Sequence, residues 1–245
     1  MDQKVILWDW NGTLFPDTVQ SCQALNVVED AYHLPRTTVD RYRACFTLPF
    51  SEHYKRIGFP ESLIADLPAL QTIWHEAYKK VEPTIILREG TAALLEALQA
   101  AGVSNVIISN HIEGQILAQL RRLGIDRYIV STTAFKDVGE QQNNIGVFKT
   151  SRVRQFMEAQ NIPRDHAVIV GDTTYEIEMA HTLGLHSISV TDGFHTEERL
   201  RKEANDKDVF VHSIPELRTA LEAVRGFPPL PVLTNKCAMD NDVFL

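Results

Sequence analysis

The chain has 245 residues, 44% of them hydrophobic and 23% charged, the composition of a folded globular protein with room for one sizeable core and a second small domain. A formal net charge of −8, from 24 Lys and Arg against 32 Asp and Glu, argues against a nucleic-acid partner, which needs a clustered basic face, and makes small ligands the expected partners. Cys22, Cys45 and Cys237 are odd in number, widely spaced and free of any CxxC pair, and no apolar run approaches a membrane span or a signal-peptide core, so neither a disulfide framework, a zinc site nor a membrane is indicated and a cytoplasmic protein is expected.

The first element is the apolar run Val5-Ile6-Leu7-Trp8, read as a buried strand, which delivers Asp9 into Asp9-Trp10-Asn11-Gly12-Thr13 and then Leu14 and Phe15. A carboxylate at the carboxyl end of such a strand, followed by a glycine-containing turn, is where an open α/β sheet places its chemistry, so Asp9 is a candidate nucleophile. From Pro16 to Arg88 the pattern changes. Pro35, Pro49, Gly58, Pro60, Pro68 and Pro83 punctuate it, and apolar residues recur at helical intervals, as in Leu67, Leu70, Ile73, Trp74 and Tyr78, which predicts an all-helical insert. Placed immediately after the candidate nucleophile, this insert could close over the site as a lid.

Beyond it, strands predicted at Val106–Ser109, Tyr128–Thr132, Val168–Val170 and Ile188–Val190 alternate with helices predicted at Thr91–Ala101, Glu113–Leu123, Thr150–Gln160 and Tyr175–Leu183. Gly102, Gly124 and Gly184 follow three of these helices, as helix-terminating glycines do. Alternation at this spacing implies right-handed crossovers and a doubly wound, mostly parallel α/β sheet. Phe227-Pro228-Pro229-Leu230-Pro231 reads as extended and opens a C-terminal extension, expected to be packed on its own domain or loosely ordered, with a Pro-rich ligand for a partner as the alternative. The expected organisation is a core domain of residues 1–15 and 89–226, a helical cap domain of 16–88, and an extension of 227–245.

Two later segments end apolar strands in small or acidic polar groups: Val106-Ile107-Ile108-Ser109-Asn110, and Val168-Ile169-Val170-Gly171-Asp172-Thr173-Thr174-Tyr175-Glu176. Lys149 falls between them, about one helix and one connection before Asp172. Singly, each residue has an ordinary role: Asp9 as a turn or cap residue, Ser109-Asn110 as a cap, Lys149 as a solvated side chain, Glu176 as a first-turn carboxylate. As an ordered set they resemble the four motifs of the haloacid dehalogenase superfamily, with Lys149 suiting the spacing far better than Lys136. The helical insert is similar in position to the cap of phosphoglycolate phosphatase-like members, with Leu87-Arg88-Glu89-Gly90 as the return into the core.

The resemblance implies phosphoryl transfer, which needs an in-line nucleophile, a divalent cation and fixed donors around the phosphoryl oxygens. Asp9 would form an aspartyl-phosphate and, with Asp172, Glu176 (directly or through water) and the Asn11 backbone carbonyl, hold Mg²⁺. Ser109, Asn110 and Lys149 would bind the phosphoryl oxygens, the Asn110 N–H near a helix start, and Thr13 would orient the Asp9 loop. The sequence departs from the pattern at Asn11, where phosphatases of the superfamily carry the Asp that protonates the leaving group and activates water. A carboxamide hydrogen-bonds in both places but cannot give up and recover a proton there.

The expected activity is therefore Mg²⁺-dependent hydrolysis of a small phosphorylated metabolite, slowed by Asn11. The alternative is a catalytically impaired relative that binds a phosphorylated ligand or a protein partner. A phosphotransferase or mutase would also need the missing acid–base group, and dehalogenation would have no use for the Asp172–Glu176 metal pair.

Overall fold

The computed structural model describes residues 4–137 and 148–231. Among these, six strands form one sheet in the order β3-β2-β1-β4-β5-β6, every adjacent pair parallel. The strands are β1 (Val5–Trp8), β2 (Ser104–Ile112), β3 (Ile129–Phe135), β4 (Ala167–Gly171), β5 (His186–Val190) and β6 (Val209–Val211). This is the doubly wound arrangement. The chain leaves β1 in one direction for β2 and β3, then returns past it to β4, so the carboxyl ends of β1 and β4 flank the switch point where such sheets bind ligands.

β1 shows why the residues choose this arrangement. All four of its side chains are buried, because a central parallel strand is covered on both faces. Ile6 and Trp8 point into a cluster with Leu94, Leu98, Ile107, Ile116, Leu120, Val168, Val170 and Leu217, supplied largely by helices α6 (Thr91–Ala100), α7 (Glu113–Leu123) and α11 (Ile214–Ala223). Val5 and Leu7 point the other way, to Val106, Ile108, Val153, Met157, Ile169, Met179 and Leu183, beneath α8 (Phe148–Ala159) and α9 (Thr174–Leu183). Each such aliphatic side chain withdrawn from water contributes about 1.5–3 kcal/mol. Trp8, a polar-tipped residue in a fully buried strand, satisfies its indole by donating Nε1–H to Asn105 Oδ1 at 3.0 Å.

Gly124 and Gly184 terminate α7 and α9 in the left-handed region, at φ 69° and 71°, as their positions in the sequence predict. Two elements were not visible in the hydrophobic pattern. β6 has only three residues, and α10 (Glu197–Glu203) carries a single buried residue, Leu200. β2 also differs from its expected extent: it continues past Ser109 to Ile112 through a register shift, whereas α7 starts at Glu113 as expected. Ser109 and Asn110 therefore lie in an irregular strand end. They do not cap α7, whose N-cap is Ile112 and makes no side-chain cap bond.

Between β1 and α6 the chain is helical: α1 (Thr18–Ala31), α2 (Val39–Cys45), α3 (Phe50–Ile57), α4 (Glu61–Ile64) and α5 (Leu67–Val81). These helices share an apolar cluster of their own, built from Cys22, Leu25, Val28, Tyr42, Tyr54, Ile57, Phe59 and Leu70. Phe194, from the segment after β5, inserts into it and so joins the helices to the sheet. At the other end, Phe227 and Leu230 are buried in the main core, and Arg218 of α11 donates to the carbonyls of Leu230 and Pro231. The remainder of the expected extension, from 232 onward, lies outside the described residues. No helix among the described residues is long and apolar enough to cross a membrane.

Candidate active site

The carboxyl ends of β1 and β4 bring Asp9 and Asp172 together, because Trp8 pairs with Val170 and each acid follows within two residues. Glu176 joins them from the first turn of α9, where it forms a reciprocal capping box with Thr173: Glu176 Oε2 accepts Thr173 N–H at 3.2 Å and the Thr173 hydroxyl at 2.5 Å. All three carboxylates are buried and present oxygens within 4.8 Å of one another. Lys149, at the start of α8, reaches into this cluster and donates to Asp9 Oδ1 at 2.5 Å and to Glu176 Oε1 at 2.6 Å.

Three buried carboxylates face one ammonium, so negative charge is left uncompensated. Burial pushes the Asp9 carboxyl up to about 6 even though Lys149 pulls it down. Burial, reinforced by the charges of Asp9 and Glu176, holds Asp172 well above the usual carboxylate range. Burial opposes the charge on Lys149 as well, but Asp9 and Glu176 outweigh it and hold the ammonium above its usual pKa. A hard divalent cation suits this cluster: the donors are carboxylate oxygens, they converge, and their excess charge has no other partner of opposite sign in the contacts just given.

The loop after β1 is clamped against Asp172. Thr13 donates its hydroxyl to Asp172 Oδ1 at 2.6 Å, and the Phe194 backbone N–H donates to Oδ2 at 2.6 Å. Gly12 has φ 79°, and a Cβ there would lie 2.2 Å from Asp172 Oδ2, so both its conformation and its space demand glycine. Trp10 and Phe15, both fully buried, stack with centroids 5.2 Å apart, and Trp10 Nε1–H donates to Gln119 Oε1 at 2.7 Å. These rings pack the hinge of the loop, with no part in the carboxylate cluster.

Ser109 and Asn110 lie on the strand beside β1, just beyond Ile107, the register partner of Trp8. The Ser109 hydroxyl is buried and accepts the His111 N–H at 3.1 Å, while Arg152 donates to the Ser109 carbonyl and to Asn110 Oδ1, each at 3.0 Å. Asn110 is thus held in the bulge of β2, with α7 beginning three residues on. Asn11 donates Nδ2–H to Asp17 Oδ2 at 2.8 Å, with its side chain directed to the hinge.

Several residues that shape the site carried no signal of their own. Asp17, Gly193 and Phe194 fall outside every motif of the sequence, and Arg88, which donates to the Gly12 carbonyl at 2.7 Å and to Asp192 Oδ2 at 2.8 Å, lies in the segment read as the return from the insert. Thr173 could have been found from its Thr-x-x-Glu spacing to Glu176, a capping-box signature that marks a helix start.

A sheet of this order, with acids at the ends of β1 and β4, a lysine from the helix before β4 and a helical insert after β1, defines a class of hydrolase. The chain belongs to the haloacid dehalogenase-like hydrolase family, whose model matches residues 6–190. Its fold is similar to that of a haloacid dehalogenase-like hydrolase of Streptococcus pneumoniae, with a TM-score of 0.73 at 17% identity over 89% of this chain and 98% of that one. It is similar also to a structure titled "putative phosphoglycolate phosphatase" from Lactobacillus delbrueckii subsp. bulgaricus, with a TM-score of 0.67 at 19% identity over 90% and 98% of the two chains. Among curated sequences it is 22% identical over 153 residues to "Putative pyrophosphatase PpaX" of Caldanaerobacter subterraneus subsp. tengcongensis, and the match spans 62% of each chain.

Proposed function

We propose that this protein is a Mg²⁺-dependent phosphatase that hydrolyses a small phosphorylated metabolite through an aspartyl-phosphate on Asp9. The observation that carries the reading is the convergence of Asp9, Asp172, Glu176 and Lys149 in one buried cluster at the switch point of the sheet. Asp9, Asp172, Glu176 and the Asn11 carbonyl would hold Mg²⁺, which supplies charge neutralisation at the phosphoryl oxygens.

In the first half-reaction a carboxylate oxygen of Asp9 forms a bond to phosphorus as the bond to the leaving oxygen breaks. In the second, water displaces Asp9, releasing inorganic phosphate and restoring the carboxylate. Lys149 neutralises charge where the phosphoryl group meets the carboxylates, and Ser109 and Asn110 offer it hydrogen bonds. The helical insert of residues 16–88 serves as the cap that excludes water and selects the substrate.

Asn11 sets the limit on rate. Its amide donates to Asp17 and has no acidic proton to give, so the leaving oxygen must take its proton from water. General acid–base catalysis contributes about 10² to 10⁴ in rate, and substrates with good leaving groups, acyl or aryl phosphates, suffer least from its loss. The same observation supports the second reading, a protein that binds a phosphorylated ligand or a protein partner with little turnover.

Phosphate release from an aryl phosphate, with and without Mg²⁺, separates the two. The expected result is Mg²⁺-dependent release that disappears in Asp9→Asn. Release only after Asn11→Asp would move the assignment to a binding protein, and unchanged release in Asp9→Asn would refute the nucleophile.

A further inference from the structure

One carboxylate joins the loop after β1 to the helical insert. Asp17 is 2% exposed and accepts hydrogen bonds from both sides: Asn11 Nδ2 at 2.8 Å and Gly12 N–H at 2.9 Å from the loop, and the Tyr78 hydroxyl at 2.6 Å from α5. The Ser21 hydroxyl of α1 completes the set at 3.5 Å. Tyr78 is 61 residues away in sequence, and Trp74, one turn before it on α5, stacks on its ring and donates to the Ser21 carbonyl at 3.2 Å.

The Gly12 bond has a consequence for the preceding residue. Gly12 N–H and the Asn11 carbonyl are the two ends of one trans peptide, which is planar, so they point in opposite directions. Asp17 Oδ1 and the Phe15 carbonyl, at 2.9 and 2.7 Å, share the N–H end and thereby aim the Asn11 carbonyl away from the hinge. Arg88 fixes the next peptide by donating to the Gly12 carbonyl.

We propose that Asp17 is a positioning residue for the cation site: it sets the Asn11 carbonyl through the Asn11–Gly12 peptide and, through Tyr78, ties that setting to the seating of α5. The proposal rests on the reading above in which the Asn11 carbonyl is a ligand of the divalent cation. Groups that orient metal ligands typically account for 10- to 100-fold in metal affinity. Linkage makes the coupling mutual, so a bound cation holds α5 in place to the same degree that a seated α5 tightens the cation.

The test is a Mn²⁺ titration of the full chain, followed by electron paramagnetic resonance of the free ion, with amide hydrogen exchange of α5 measured with and without Mn²⁺. Asp17→Asn is expected to raise the Mn²⁺ Kd about tenfold or more. Tyr78→Phe, which deletes one hydroxyl, is expected to raise it by a smaller factor and to abolish the slowing of α5 exchange that Mn²⁺ produces in the wild type. If Asp17→Asn does not fold, Tyr78→Phe decides alone. An unchanged Kd in these variants, whatever their Tm, while Asp172→Asn loses the ion, overturns the positioning role and leaves the cation site standing. A wild-type chain that binds no Mn²⁺ overturns both.

Discussion

The hydroxyl of Thr13 donates to Asp172 Oδ1 at 2.6 Å, joining the loops after β1 and β4, which are 159 residues apart in sequence. Asp172 is fully buried, so each of its bonds replaces water that cannot reach it. Thr13→Val keeps the side-chain shape and removes the donor, leaving the oxygen without this partner at a cost of about 1–3 kcal/mol. Thr13→Ser retains the bond. Urea unfolding is expected to rank wild type and Thr13→Ser together, above Thr13→Val; equal stability of all three would show that the bond contributes nothing.

The acids of the cluster make cation binding depend on pH. Burial raises Asp9 to about 6 and, with the charges of Asp9 and Glu176, holds Asp172 well above its usual range, so as pH falls through about 6 in the absence of metal Asp9 takes up a proton that a cation must displace. Protonation competes with the cation, and apparent Mg²⁺ affinity is expected to weaken as pH falls through about 6, by about tenfold per unit for each proton displaced. Calorimetric titrations at several pH values check this. A constant affinity from neutral to mildly acidic pH would mean that the carboxyls stay ionised.

Gly193 packs its backbone directly on Asp172: a Cβ there would lie 2.2 Å from both Asp172 Cβ and Oδ2. No flexible side-chain end is available to yield, and the neighbouring Phe194 N–H is itself a partner of Asp172. Gly193→Ala is expected to cost about 1–3 kcal/mol through overpacking and to weaken Mg²⁺ retention at the same time. Gly114→Ala on α7, where nothing lies within 4 Å, serves as the control and is expected to leave both unchanged or slightly improved. Equal Tm and Mg²⁺ affinity in Gly193→Ala would refute the close approach.

His53 makes the helical insert sensitive to acid. It is 3% exposed, packed against Tyr42 and Phe46, and burial lowers its pKa to about 4. A depressed imidazole contributes stability that is present above its unfolded pKa of about 6.5 and is lost as pH falls toward about 4, a span equivalent to about 3 kcal/mol. His53→Phe removes this titration. The stability of the wild type relative to His53→Phe is therefore expected to decline between neutral pH and pH about 4.5 in thermal melts, and a constant difference would show that the imidazole is not held neutral.

The sequence by itself determined the sheet and the inventory of the cluster. Val5–Trp8 and Val168–Val170 are continuous apolar runs because central parallel strands are buried on both faces, and that pattern is local. Asp9 and Asp172 could be nominated because they stand at the ends of such runs, which a doubly wound sheet gathers at one edge, and Glu176 because it opens the helix that follows. Lys149 required the ordered set, since a lone lysine before a helix has no signature. β6 and α10 were missed because three residues, or a helix with one buried side chain, fall below what a periodic pattern can reveal.

Only the tertiary structure decided how these groups are held. Asp17 meets Tyr78, Phe194 meets Asp172, and Arg88 meets Gly12 across 61, 22 and 76 residues of chain. Such contacts are selected by how the helical insert seats on the sheet, and a side chain's neighbours at that range leave no imprint on the residues beside it in sequence. The direction of the Asn11 amide belongs to the same category. Its chemistry, a donor and acceptor that cannot serve as an acid, was legible from residue type, whereas its partner, Asp17, follows from a turn that closes only when the loop after β1 folds back on α1.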